Sequence, residues 1–439
     1  MELLNSIGVS IVAFVFVLGV MIFVHELGHY LVAKQLGIRV EVFSLGFGRR
    51  LFGFKRGDTD YRVSLLPLGG YVKMAGENYD EKLTGEAGEF MSHSKLHRFA
   101  VAIAGPLMNI GLALVLVVVS FLIGVPTYRY LHQPAVIGSI EPESPAAQVG
   151  LQRQDIIVSI DGDLTETWQD VEILVSMSAN QELHLTVKRE DTLLQKSLTP
   201  VVAKELEVGT IGVTPFVDYT ISRVEPETPA ARAGLQPGDE ILRVVRGTQT
   251  AVGFYESLET ISSSQGEPLL VEVRRGGQIF ERTITPAEIE GRWRIGTVVD
   301  LVRLQKYGLL VAIQKSLERN YRLTSLTFNV LGRIITGRTS VRTLSGPIEI
   351  ARYSGRAAST GGIQLLSFMA FVSLQLGILN LMPIPILDGG VIALLALEGL
   401  MRRDISISVK ERIFQVGFIF LMVLMAIVIF NDIAKTLPD

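Results

Sequence analysis

The chain contains no cysteine. Disulfides, cysteine-ligated zinc and thiol nucleophiles are therefore excluded, and any bound metal must draw its ligands from His, Asp or Glu. Charge is also scarce: Asp, Glu, Lys and Arg make up 19% of 439 residues, and the net charge is −3. A balance so near neutrality offers no electrostatic footprint for nucleic acid, and no nucleic-acid partner is expected. Histidine is rare as well, with six residues in all. What the chain has in excess is apolar side chains, 48% of the total.

Those side chains are not spread evenly. Residues 7–24, 99–125, 363–381 and 413–430 form apolar runs, each close to the ~20 residues that cross a ~30 Å hydrocarbon layer as a helix. Residues 127–361 read instead as ordinary mixed sequence with alternating, strand-like runs. Four transmembrane helices are expected, with a large water-soluble insert between the second and the third. The first run has no basic residue ahead of it and no small-residue cleavage site behind it, which argues against a cleaved signal peptide. Arg49, Arg50, Lys55, Arg56 and Arg62 lie between the first two runs, and Arg402, Arg403, Lys410 and Arg412 between the last two. The positive-inside rule assigns both loops to the cytoplasm, so both termini and the insert fall on the outer side.

The insert carries an internal duplication. Ile140-Glu-Pro-Glu-Ser-Pro-Ala-Ala-Gln-Val-Gly-Leu151 returns as Val224-Glu-Pro-Glu-Thr-Pro-Ala-Ala-Arg-Ala-Gly-Leu235. Each copy continues to an Asp before a strand-like run, Asp155 and Asp239, and then to a second β-rich run, 183–188 and 269–274. Two consecutive copies of one small β-rich domain account for this. The pattern resembles the PDZ domains attached to bacterial proteases. That resemblance implies two compact barrels, which either bind an extended peptide as an added strand or serve as spacers and filters before a membrane site. The copies differ at one turn, Arg153-Gln154 against Pro237-Gly238.

The strongest chemical signal is His25-Glu26-Leu27-Gly28-His29, at the end of the first apolar run. Residues i and i+4 share a helix face, so both imidazoles can reach one metal ion. Glu26 sits beside them, placed to take a proton from a water activated by that metal. An ionisable residue within a span costs roughly 2.5–3.5 kcal/mol, and a shared metal offsets three of them at once.

Two histidines leave the site short of a third protein ligand. Asp388 is the favoured candidate, an acid among apolar residues in Asn380-Leu-Met-Pro-Ile-Pro-Ile-Leu-Asp388-Gly-Gly390. Pro383 and Pro385 break the helix just before it, and broken helices at membrane depth are tolerated where they line a polar cavity. Residues 7–25 descend about 27 Å at ~1.5 Å per residue, and the third run descends comparably from the same side, so the two ends can meet. His93 and His97 are rival third ligands.

Taken with Gly105-Pro-Leu-Met-Asn109 in the second run, these motifs resemble the site-2 protease family, over nearly the whole chain. The resemblance implies one Zn2+ per chain, held by His25, His29 and Asp388, with Glu26 as general base. It implies a bacterial inner-membrane enzyme whose site lies toward the cytoplasmic side. Its substrates would be single-pass membrane proteins: an anti-sigma factor already cut once outside, and remnant signal peptides. It further makes residues 61–74, with Gly46-Phe-Gly48 nearby, part of a membrane-re-entrant β loop. Gly69, Gly70, Tyr71 and Val72 are expected to pair with an unwound substrate strand, and Asn380 to hydrogen-bond to it. Val391 stands where many relatives have His, at a position that is not a ligand in the family.

The expected architecture is thus a polytopic α-helical membrane protein, with four transmembrane helices and a re-entrant β loop, carrying two PDZ-like domains outside the cytoplasm. Its regions are 1–36, the first helix; 37–98, the cytoplasmic and re-entrant β part; and 99–126, the second helix. The two PDZ-like domains are 127–215 and 216–300, followed by an amphipathic helical segment at 301–361. The third helix with the Asp-Gly motif is 362–398, a cytoplasmic loop is 399–412, and the fourth helix is 413–434. In the amphipathic segment Leu309, Ile313, Leu317, Leu326, Val330 and Ile334 share one face, and Lys315, Arg319, Arg322 and Arg333 suit a helix on the membrane surface or against the PDZ pair. Two other function classes compete. A non-catalytic PDZ scaffold would have little reason to keep Glu26, and a metal transporter would need a route across the bilayer rather than one cluster near one face.

Overall fold

The computed structural model of the protein describes residues 2–77, 84–202, 209–289, 291–336 and 345–436. Of the regions above, 78–83, 203–208, 290 and 337–344 lie outside these, as do the side chains of residues 2–7, Pro67, Leu68, Arg333, 435 and 436. The chain divides into two compact units, 1–125 together with 306–439, and 126–305.

The first unit begins with α1 (Glu2–Gln35), a single helix of 34 residues. Its unbroken apolar run leaves no polar period to favour a sheet, and a helix satisfies its backbone internally. Gly37, at φ +81°, sits just beyond its end in the left-handed region that a helix stop requires. Strands β1 (Val40–Arg56) and β2 (Thr59–Met74) follow. They fold back on themselves: 42–45 pairs with 70–73 on one side and with 60–63 on the other, while 50–56 pairs with 59–64. Residues 70–74 therefore form one edge of the resulting sheet, next to α1. Tyr30 of α1 and Tyr61 of β2 share a hydroxyl hydrogen bond of 2.5 Å, and Phe43, Val72, Met74, Phe90 and Val101 close a core beneath the sheet. The hairpin leaves Phe47, Leu51, Phe52, Phe54, Leu65 and Leu66 exposed.

Ser94 caps α2 (Lys95–Ile123), its hydroxyl accepting from the His97 N–H. Gly28 lets α1 approach α2 closely, since a Cβ there would lie 2.5 Å from the Ala104 carbonyl oxygen.

In the second unit the duplication is structural. Strands at 156–160, 163–164, 183–189 and 192–198 form one sheet, with α3 (Pro145–Gln148) and α4 (Trp168–Ser176) beside it. The second copy repeats this with strands at 240–246, 249–251, 269–275 and 278–284, to which 219–220 adds a fifth, and with α5 (Pro229–Arg232) and α6 (Phe254–Ser262). Each copy has its own core, centred on Ile157, Leu183 and Leu185 in the first and on Ile241, Leu269 and Val271 in the second. Asp155 pairs with Arg189, and Asp239 with Arg275, through two hydrogen bonds each. Gln154 and Gly238 both adopt positive φ, 64° and 90°, so the turn where the copies differ in sequence keeps one backbone shape. Arg153 joins the copies: it pairs with Glu256 at 2.5 Å and donates to the Val252 carbonyl.

The first unit resumes with α7 (Leu309–Ile335), α8 (Pro347–Thr360), α9 (Gly362–Leu381), α10 (Asp388–Met401) and α11 (Ile407–Thr436). Helix α7 packs on α2 and α9. It buries Ala312, Ser316 and Asn320 there and turns Leu309, Ile313 and Leu317 outward. In lipid an outward apolar face costs nothing, while small and polar side chains let helices approach and hydrogen-bond; Ser316 donates to the Leu114 carbonyl at 2.9 Å. Helix α11 is held near both ends. Lys410 pairs with Glu398 at 2.6 Å, and the Asp432 carboxylate accepts from the N–H groups of Gly346, Ile348 and Glu349 at the start of α8. Helices α1 (from Gly8), α2, α9 and α11 are each long and apolar enough to cross a membrane.

Candidate metal centre

Two helices meet at the motif residues. His25 and His29 project from one face of α1, and Asp388 opens α10. The turn between α9 and α10 is tight. Pro383 and Pro385 cannot continue a helix, and Ile386 takes φ +84°, a costly angle for a β-branched residue. Gly389 and Gly390 have no side chain where a Cβ would strike the carbonyls of Met382 and Ile384. That close fold-back is what brings the acid to the histidines.

The donor atoms converge. His25 Nε2 lies 3.1 Å from Asp388 Oδ2, His29 Nε2 lies 3.5 Å from Asp388 Oδ1, and the two Nε2 atoms are 3.2 Å apart. Four-coordinate zinc with bonds of ~2.0–2.2 Å separates its ligand atoms by about 3.3 Å, so this N, N, O set fits one such ion. It is the one group of three metal-capable side chains among the described residues. His93 and His97 bond to each other, Nδ1 to Nδ1 at 3.2 Å, and take no part in that group.

Space for an ion is kept by Gly105 of α2. A Cβ there would strike His29 Nε2 and come within 2.9 Å of His25 Cε1. Orientation also comes from α2: His29 Nδ1 lies 2.8 Å from the Val101 carbonyl oxygen, and His25 Nδ1 lies 3.4 Å from the Asn109 side chain. Metal-bound imidazoles are commonly held in this way through their second nitrogen. Sequence reading singled out 105–109 as a motif without finding these roles, and Val101 carried no signal at all.

The strand edge lies against the same site. A Cβ on Gly70 would be 3.0 Å from Glu26 Cγ and 2.7 Å from Ile22 Cγ2, and the Val72 backbone faces the Glu26 carboxylate. Gly69 takes φ +146° against the Phe47 ring. Tyr71 stacks on Phe47 with centroids 5.9 Å apart and is hydrogen-bonded to Arg62. The Val72 side chain is buried in the core below, leaving its backbone for the edge. Asn380 lies half-buried near the end of α9, before the turn to Asp388. Chemically, the arrangement can hold a divalent ion with a carboxylate alongside, next to a strand edge able to take another chain.

Comparison with known proteins gives a consistent picture. The model of Peptidase family M50 matches residues 13–424. A regulator of sigma E protease from Haemophilus influenzae is 35% identical over 458 residues, covering 99% of this chain and 100% of that protein. A protease RseP from Yersinia pestis is 34% identical over 463 residues, covering 98% of this chain and 99% of that protein. Among solved structures, the PDZ domain of an SdrC-like protein from Listeria monocytogenes is 23% identical, covering 19% of this chain and 87% of its own, with a TM-score of 0.17, too low to bear on the fold.

Proposed function

The chain belongs to peptidase family M50 and is a membrane metalloprotease; on that premise we propose that it is a zinc enzyme cutting peptide bonds within the transmembrane segments of single-pass membrane proteins. The observation that carries this is the spacing of His25 Nε2, His29 Nε2 and the Asp388 carboxylate, all within 3.5 Å of a neighbour, with Glu26 alongside.

A zinc ion held by these three side chains would polarise a peptide carbonyl and bring the pKa of water down to roughly 7. Glu26 takes the proton from the attacking water and returns it to the leaving amine nitrogen as the C–N bond breaks. The substrate helix must first unwind, and its freed N–H and C=O groups need partners where no water is present. The backbone of Gly69, Gly70, Tyr71 and Val72 supplies them by strand addition, with the Asn380 amide as a further donor. The exposed apolar side chains of the hairpin favour its dipping into lipid as a re-entrant loop.

The relatives named as sigma E regulators lead us to an anti-sigma factor, already cut outside, as one substrate, with remnant signal peptides as another. The enzyme sits in a bacterial inner membrane. The basic loops keep the metal toward the cytoplasm and set the termini and the two PDZ-like domains in the periplasm. There the pair filters what reaches the site or binds peptide.

Glu26→Gln tests the reading. The variant should bind one zinc per chain and lose cleavage of a co-expressed single-pass substrate by at least ~100-fold, the low end for a general base. Cleavage at the unmodified rate would remove Glu26 from the chemistry.

A further inference from the structure

Both histidines are steered from α2, and the two arrangements differ in an informative way. A carbonyl oxygen can only accept, so the bond from His29 Nδ1 to the Val101 oxygen, 2.8 Å, puts the proton on Nδ1 and leaves the Nε2 lone pair toward Asp388. Two helical turns along, the Asn109 amide nitrogen faces His25 Nδ1 at 3.4 Å. In that orientation Nδ1 must accept, and the imidazole proton moves to Nε2. It would then stand between His25 Nε2 and any ion, 3.2 Å from His29 Nε2.

The same amide has an orphaned atom. Asn109 is 1% exposed, and its Oδ1 is buried with no hydrogen-bond partner. Its backbone is fixed, since the Ser373 hydroxyl of α9 donates to its carbonyl at 2.7 Å. A half-turn about the last side-chain bond exchanges Oδ1 and Nδ2 within the same volume. We infer that Asn109 Oδ1 accepts a hydrogen bond from His25 Nδ1–H, making Asn109 the positioning residue that holds His25 in its metal-binding tautomer. One rotation then pairs the oxygen, turns the amide nitrogen into the place it leaves, and gives His25 the tautomer that Val101 imposes on His29. Residues 101, 105 and 109 lie four apart and so on one face of α2. That face supplies an acceptor for each histidine, with the side-chain-free Gly105 between them.

The inference rests on the proposed metal site, and chelator competition with zinc on the purified full chain in detergent separates the two. Asn109→Leu keeps the volume and removes the acceptor; its zinc dissociation constant should rise 10–100-fold. Asn109→Asp keeps an acceptor toward Nδ1–H and should stay within about threefold of the unmodified chain or bind more tightly. If Asn109→Leu does not fold, Asn109→Ala makes the same comparison with an empty space. Equal affinity in all variants would overturn the inference, and so would equal loss in the Asp and Leu variants, which would mark Asn109 as packing alone. Failure of the unmodified chain to bind zinc would instead overturn the metal site itself.

Discussion

Gly105 and His29 meet from two helices: a Cβ on residue 105 would lie 2.2 Å from the imidazole Nε2. The candidate metal centre is therefore shaped by an absence on α2 as much as by the two histidines on α1. Gly105→Ala should weaken zinc binding at least tenfold by displacing His29, the scale seen when groups that orient ligands are disturbed, with proportionate loss of cleavage. The apo protein should unfold at nearly its usual temperature, because α2 remains helical and alanine favours helix over glycine by up to ~1 kcal/mol. Zinc affinity and apo melting, measured together, check this; a variant that binds zinc normally would show that the helices simply move apart.

Gly70 makes the corresponding contact on the strand side, against Glu26 and Ile22. Gly70→Ala should push the edge of the sheet away from α1 while leaving His25, His29 and Asp388 in place. Cleavage of a single-pass substrate should fall tenfold or more, with one zinc per chain retained. The criterion is that ratio. Zinc lost in parallel with activity would mean that the edge supports the ligands instead of receiving substrate.

The second repeat carries an acid-sensitive link. Burial works against the charge of Asp239, but the Arg275 guanidinium and the Gln236 N–H outweigh it and hold its carboxyl below the usual carboxylate range. A lowered folded-state value means the stabilisation is fully present above the unfolded value of about 3.9 and is lost as pH falls through the folded one. Asp239→Asn should destabilise the repeat by about 2–3 kcal/mol near neutral pH, the scale of hydrogen bonds to charged groups. The difference from the unmodified chain should shrink below about pH 4. Hydrogen exchange at the amides of 269–275 reports it, and a gap independent of pH would exclude the ionic origin.

Much of the candidate site was legible in the sequence because its signals are local. His25 and His29 are one helical turn apart in any α-helix, and Glu26 comes with them. Asp388 announced itself as a charge among apolar neighbours after two prolines, where an unpaired acid would be costly. The duplication was equally plain, since repeated residues such as Asp155 and Asp239 meet repeated partners in Arg189 and Arg275. Helix α7 shows where such signals stop. Periodicity locates an apolar stripe but does not say whether protein or lipid will cover it, and here Ser316 and Asn320 turn inward.

Sequence alone therefore picked out His25, Glu26, His29 and Asp388 as the candidates for the chemistry, four runs long enough to span, and an insert built twice. Only the tertiary structure decided that Val101, Gly105 and Asn109 stand behind the histidines, that residues 70–74 are the sheet edge beside Glu26, and that a fold-back at Ile386 delivers Asp388. The reason is physical. Residue types and helical spacing are properties of a segment by itself, whereas a backbone carbonyl, a missing side chain or an open strand edge acquires meaning only from what another segment brings within 3 or 4 Å of it.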